Sequence, residues 1–199
     1  METKKIKAKN LFIISGPSGV GEDSIISKLS KKLNINKVIT TTTRKQRPEE
    51  IGKKTYYFIS KNEFKEKIKK NEFFEYAQEY NNNYYGVTNK ELNRVINSNK
   101  IGIWKIEYKG VITAKKKFKK IITILISAPS EILEKRIRQR GNVSEKYIKE
   151  RMLYTKKWEK YKYIYDYEVV NEEGKLNKAV DEIYNIITKV FSNRKMMPK

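Results

Sequence analysis

Apolar residues along this chain keep two different rhythms. Short, mostly apolar runs at residues 11–14, 56–59, 101–106 and 121–126 read as strands, the first as a buried one and the last as apolar enough to be central. Val38-Ile39 is expected to start a further strand, and Val169-Val170 to form the last one. Between them the spacing becomes helical. Ile25, Ile26, Leu29 and Leu33 share one face of a helix over 22–33. Ser60 with Glu63, and Thr88 with Glu91, have the spacing of a capping box, in which side chain and backbone satisfy each other at a helix start. The first opens a helix through Ile68, the second a helix carrying Leu92, Val95 and Ile96. After Pro129, Ser130 is expected to cap a helix ending near Gly141, and another begins at Ser144. Leu176, Ala179, Val180, Ile183, Ile187 and Val190 line one face of a terminal helix.

Strands alternating with helices predict an α/β fold with a mostly parallel sheet flanked by helices. The stretch 40–90, rich in Tyr, Asn and strand formers, departs from that rhythm and predicts an inserted lobe. A length of 199 residues fits one compact domain.

Composition narrows the chemistry. With no Cys and no His, disulfides, thiol nucleophiles, ordinary zinc sites and histidine acid–base catalysis are excluded. The net charge of +22 invites a polyanion, but lysine is spread along the whole chain, so no specific nucleic-acid partner is expected. The densest run, Lys115-Lys116-Lys117 with Lys119-Lys120, reads as a solvated face. No apolar stretch approaches the roughly 20 residues of a membrane span, which predicts a cytoplasmic protein with no membrane partner.

One motif carries chemistry by itself. Gly16-Pro17-Ser18-Gly19-Val20-Gly21 lies between the first strand and the first helix, where glycines let backbone N–H groups turn toward an anion at the helix N-terminus. The complete phosphate-loop motif continues with Lys and then Ser or Thr. Here Glu22-Asp23-Ser24 follow instead, placing two carboxylates beside the expected phosphates.

Farther along, the segments Ser15-Gly16-Pro17-Ser18-Gly19, Thr40-Thr41-Thr42-Thr43-Arg44-Lys45-Gln46-Arg47, Asn71-Glu72-Phe73-Phe74-Glu75-Tyr76-Ala77 and Asn83-Tyr84-Tyr85-Gly86 occur in an order that resembles the guanylate kinases. The likeness runs from about residue 10 to 190 and includes Tyr56, the arginines 136, 140 and 151, and the segment from Tyr165 to Asn171. It implies a P-loop nucleoside-monophosphate-kinase fold, with a core at about 10–37 and 98–190, a GMP-binding lobe at about 38–97 and a lid at about 130–160. It implies transfer of the γ-phosphoryl group of ATP to GMP with Mg²⁺, by a monomer or homodimer. The alternative is a catalytically impaired domain that binds a guanine nucleotide or a phosphorylated partner.

The implied GMP-binding set is Thr40, Arg44, Arg47, Tyr56, Glu75, Tyr85 and Glu107. Paired guanidinium groups suit a monophosphate, and a carboxylate at Glu75 suits the guanine N1–H and 2-amino group. The implied ATP-phosphate site is Gly16, Pro17, Ser18, Gly19, Val20, Gly21, Glu22, Asp23 and Ser24. Arg44, Arg136, Arg140 and Arg151, joined by Lys105, form the expected catalytic set. Departures from the family pattern are Glu22 and Asp23 in the loop, Val87 after Gly86, one extra residue near Asn81-Asn82-Asn83, and Lys105 where an acidic residue is common. The charge change at both places predicts that Lys105 pairs with Glu22, leaving Asp23 to ligate magnesium.

Overall fold

The computed structural model describes residues 6–52, 55–78, 82–139, 141 and 143–196. Its strands are β1 (Ile6–Lys7), β2 (Leu11–Ser15), β3 (Ile35–Lys37), β4 (Thr40–Thr42), β5 (Tyr56–Phe58), β6 (Phe73–Gln78), β7 (Tyr84–Thr88), β8 (Ile101–Lys105), β9 (Phe118–Lys119), β10 (Ile122–Ser127) and β11 (Tyr167–Val170). The helices are α1 (Glu22–Lys32), α2 (Lys61–Lys69), α3 (Asn89–Ile96), α4 (Tyr108–Lys117), α5 (Ser130–Arg138), α6 (Glu145–Lys160) and α7 (Leu176–Met196).

A five-stranded sheet in the order β11-β10-β2-β8-β3 is parallel throughout, as the alternation of strands and helices predicts. β2 lies at its centre and is buried along its whole length. Side chains alternate across a strand. Phe12 and Ile14 therefore enter one core with Ile25, Leu29, Ile183 and Ile187, from α1 and α7. Leu11 and Ile13 enter another with Val95, Trp104 and Val111. A strand covered on both faces has no polar face to show, which is why its sequence is an unbroken apolar run.

β8 alternates in the same way. Ile101 and Ile103 join the α1 side and Trp104 the other, so the next alternation turns Lys105 toward α1. The register Ile14↔Lys105 brings β8 to its end beside the start of the glycine loop.

The second sheet, β5-β4-β7-β6, occupies the stretch expected to form an inserted lobe. Its β4–β5 pair is parallel, whereas β4–β7 and β6–β7 are antiparallel. Glu91, buried in the first turn of α3, ties this sheet to the core by accepting from the Ile39 backbone N–H at 2.8 Å and the Tyr57 hydroxyl at 3.3 Å.

The expected caps at Ser60, Thr88 and Ser144 are present, each side chain accepting a backbone N–H of the first turn. Two local expectations are corrected. Val38-Ile39 starts no strand: both residues are buried where the chain passes from β3 to β4, and their apolar character serves that crossing. Ser130 is the first residue of α5, and Pro129 takes the cap position with no side-chain hydrogen bond. Among the described residues no helix is long and apolar enough to cross a membrane.

Candidate active site

The glycine loop leaves β2 at the carboxyl edge of the parallel sheet, where ligands of such sheets bind. Gly19 and Gly21 have φ of 90° and 93°, a backbone region that side chains disfavour. The loop is also walled in. A Cβ at Gly19 would stand 2.9 Å from the Leu133 carbonyl oxygen, and one at Gly21 2.8 Å from Asn171 Nδ2. That same Nδ2 donates to the Val20 carbonyl at 2.8 Å, fixing the loop from the end of β11. The result is a backbone cradle at the N-terminus of α1, the geometry that favours phosphate.

Glu22 and Asp23 form the first turn of α1. Lys105 Nζ lies 2.7 Å from Asp23 Oδ1, with the lysine side chain one-third exposed and the aspartate largely exposed. The carboxylate that accepts from Lys105 is Asp23, and Glu22, the partner that the sequence pattern points to, also acts on the ammonium through its charge. Burial opposes the ammonium charge, but Tyr56, Glu22 and Asp23 outweigh it and raise the lysine above its ordinary value. Lys105 is therefore held as the ammonium near neutral pH. β8 ends at Lys105, and Glu107 is the N-cap of α4.

A second group of residues gathers on the four-stranded sheet. Arg44 makes a two-pronged ion pair with Glu50, Nη1 to Oε2 at 2.9 Å and Nη2 to Oε1 at 2.7 Å. Its guanidinium lies over the rings of Tyr56 and Phe58, 5.2 and 5.5 Å from their centroids. Tyr85 meets Tyr56 edge-on at 6.4 Å. Thr40 stands opposite Tyr56 in the β4–β5 register. Arg47 gives its backbone N–H to Glu50 at 2.9 Å, and its side chain is exposed.

Glu75 projects from β6 toward the first turn of α4, its Oε2 3.5 Å from the place a Cβ on Gly110 would occupy. Glu107 accepts a hydrogen bond from the Tyr154 hydroxyl of α6.

Glu50 has no counterpart among the expected site residues. A carboxylate in an irregular loop leaves no periodic signal, although its place three residues after Arg47 was open to inspection. The Arg44 hydrogen bonds hold its carboxyl down at about 2 against the opposing cost of burial, helped by the Arg47 backbone N–H. A carboxylate with a lowered folded-state pKa stabilises the fold above its unfolded value of 4.5 and loses that contribution as pH falls toward about 2. Wild type and Glu50→Gln should therefore differ in urea midpoint at pH 6, with the gap narrowing between pH 4.5 and 3. A gap constant with pH would show that the pair does not carry this stability.

The arginines beyond the sheet divide. Arg136 Nη2 donates to the Asn171 and Glu172 carbonyls at 3.1 and 3.3 Å. Its Nη1 is buried and lacks a hydrogen-bond partner among the described residues. An orphaned guanidinium donor beside the glycine cradle fits an anion. Arg151 lies over the Tyr147 ring at 5.1 Å within α6. Arg140, and Asn81 of the expected turn, lie outside the described residues. The loop, Lys105, Asp23 and Arg136 thus gather at the carboxyl edge of the parallel sheet, and Arg44, Tyr56 and Tyr85 gather on the four-stranded sheet.

Comparison with known proteins adds an independent line. A profile described as guanylate kinase matches residues 8–190. The guanylate kinase of Mycoplasmoides gallisepticum is 36% identical over 182 residues, covering 90% of this chain and 92% of that protein. That of Clostridium tetani is 38% identical over 179 residues, covering 89% and 85%. The crystal structure of guanylate kinase from Anaplasma phagocytophilum superposes with a TM-score of 0.68 at 26% identity, covering 90% of this chain and 84% of that one.

Proposed function

This chain belongs to the guanylate kinase family, and from that premise we propose that it transfers the γ-phosphoryl group of ATP to GMP, giving GDP and ADP. The observation that carries the reading is that one chain holds both a glycine cradle at a helix N-terminus and a convergence of Arg44, Tyr56 and Tyr85. An acceptor monophosphate fits the first group and a donor triphosphate the second.

GMP binding would exchange one anion for another. The Arg44 fork that now holds the Glu50 carboxylate has the geometry for two phosphate oxygens. Tyr56 and Tyr85 would offer their hydroxyls, and Arg47, whose side chain is exposed, would add a second cation. Glu75 supplies the acceptor for the guanine N1–H and 2-amino pair, which adenine lacks. Thr40 from β4 and Glu107 from the start of α4 complete the proposed GMP-binding set.

On the donor side the loop N–H groups meet the triphosphate, and Arg136 Nη1 gains the anion it lacks. Phosphoryl transfer asks for positioning, excluded water and positive charge around the moving group more than for covalent help. Magnesium draws most of its shell from phosphates and water, needing one or two carboxylates. Asp23, exposed at the first turn of α1, fits as that carboxylate, with Ser24 beside it. No cluster of three or more His, Cys, Asp or Glu side chains is gathered among the described residues, so phosphate oxygens would complete the shell. When bound, the ion neutralises phosphate charge; the residues of the chain position the reactants.

A coupled assay with ATP and GMP tests the reading directly. Turnover is expected, together with calorimetric binding of GMP at least about 100-fold tighter than AMP, since a carboxylate facing adenine is left unpaired. Glu22 and Asp23 favour a second reading, a guanine-nucleotide-binding domain with impaired transfer. GMP binding without ADP formation would select it, and absence of GMP binding would refute both.

We further propose that the segment 38–97 acts as a GMP lobe and 130–160 as a lid, closing on the core around both nucleotides. Small-angle scattering should show a smaller radius of gyration with a bisubstrate analogue. An unchanged radius would argue against closure.

A further inference from the structure

The glycine loop and the strand beside it have exchanged charges. A loop of this form ordinarily continues with a lysine whose ammonium reaches the β- and γ-phosphates. Here Glu22 occupies that position, and Asp23 adds a second negative charge to the first turn of α1. Two carboxylates there repel a triphosphate unless a cation is brought back. The neighbouring parallel strand brings one: β8 runs in register with β2, ends at Lys105, and turns that side chain toward α1.

We propose that Lys105 is the phosphate-site lysine of this protein, delivered from the end of β8 in place of the one the loop has lost, with Asp23 holding it over the cradle until nucleotide arrives. The proposal rests on the ATP:GMP phosphotransferase reading above and adds to it the residue that takes the donor phosphates.

Three observations support it. The ammonium is already at the loop, 2.7 Å from a carboxylate of the helix that the loop opens. Two-thirds of the side chain is covered, as for Lys67 and Lys115, but Lys105 has that burial at the mouth of the glycine loop. It also stands among the carboxylates of the first turn of α1, Asp23 by hydrogen bond and Glu22 by charge, so it is held as a cation where the loop opens. A donor γ-phosphate seated on the loop N–H groups would lie beside that ammonium. An ammonium stationed there meets the charge that develops in transit, where a fixed cation is worth most. Asp23 is largely exposed, so the pair is one that a phosphate can open at small cost.

The alternative, that Lys105 only neutralises Asp23, makes a different forecast for relocation. Lys105→Met keeps the aliphatic stem and removes the charge. A non-hydrolysable ATP analogue with magnesium, titrated by calorimetry, should bind this variant at least about tenfold more weakly than wild type, the loss expected of a charged phosphate contact. GMP should bind both within about threefold, which also reports that the fold is intact. kcat should fall with the analogue affinity. Adding Glu22→Lys to Lys105→Met returns an ammonium to the loop and should restore most of the lost affinity and turnover, a strongly non-additive pair. Lys105→Arg, with its charge kept, should hold the analogue nearly as well as wild type.

Analogue affinity unchanged in Lys105→Met overturns the proposal, and so does a double variant no better than the single one. A wild type that binds the analogue and GMP without turnover refutes phosphoryl transfer while the analogue titrations still decide the role of Lys105. A wild type that binds no analogue at all overturns both.

Discussion

Arg44→Ala is expected to weaken GMP binding by about 10- to 150-fold, the equivalent of about 1.5–3 kcal/mol for a charged two-pronged hydrogen bond. The structure prepares the guanidinium for this task in two ways. Its fork is already spread to meet two oxygens of Glu50, and the rings of Tyr56 and Phe58 fix its plane. A phosphate therefore meets a donor pair that has little orientation left to lose. The substitution has a side effect, since it strands the Glu50 carboxylate in a place where that group is 12% exposed. Repeating Arg44→Ala in a Glu50→Gln background separates the two: the stability defect should shrink and the GMP defect should remain. Arg44→Lys should be intermediate, keeping the charge and losing the fork. Calorimetric GMP affinity unaltered by Arg44→Ala would remove this pocket from consideration.

Trp104→Ala is expected to cost about 3–5 kcal/mol of folding stability, the usual range for emptying a large aromatic site. The indole is fully buried, edge-on to Phe74 at 5.8 Å and to Phe118 at 6.5 Å. It belongs to the core on the far side of β8 from α1, so it anchors the strand from below while the next residue reaches the phosphate loop. The variant should therefore lose nucleotide affinity as well as thermal stability, melting lower by about 6–20 °C for a chain of this size. Trp104→Phe separates volume from polarity. The indole N–H has no hydrogen-bond partner among the described residues, so its removal should be cheap and most of the stability should survive. A scanning-calorimetry shift below about 2 °C for the alanine variant would contradict the packing described.

The central sheet is legible in the sequence because burial on both faces favours near-continuous apolar runs, and β2 and β10 are such strands, with Ser15 and Thr123 as their buried polar exceptions. The helix starts at Ser60, Thr88 and Ser144 were equally legible, since a cap is a local bargain between neighbours in sequence. What failed was what depends on three-dimensional passage. Val38-Ile39 has strand composition but serves a crossing between sheets, and no local rule separates the two uses. The candidate site followed the same division. Arg44, Tyr56 and Tyr85 were chosen from motif order and do converge. Glu50 and Asn171 were not chosen, because one makes its contacts from an irregular loop and the other through a side-chain amide reaching 151 positions back along the chain. Lys105 lies beside the loop as the exchange of charges predicts; the motif does not encode that Asp23 makes the hydrogen bond while Glu22 acts through charge, because the two carboxylates are adjacent in sequence.

The parallel pairing of β4 with β5 bears on how this protein varies over evolutionary time. Antiparallel neighbours close through a two-residue turn, but parallel ones need a connection of about a dozen residues to bring the chain back to its starting end. β4 ends at Thr42 and β5 begins at Tyr56, so the return path is 43–55, and Arg44, Arg47 and Glu50 all ride on it. Its minimum length is imposed by topology before any ligand is considered. Deletions in this span should be purged as folding defects even where they spare both arginines, whereas insertions need not be. Gly52, where an added Cβ meets nothing within 4 Å, marks a place with room to lengthen. Length polymorphism among descendants of this gene should accordingly run toward longer crossings.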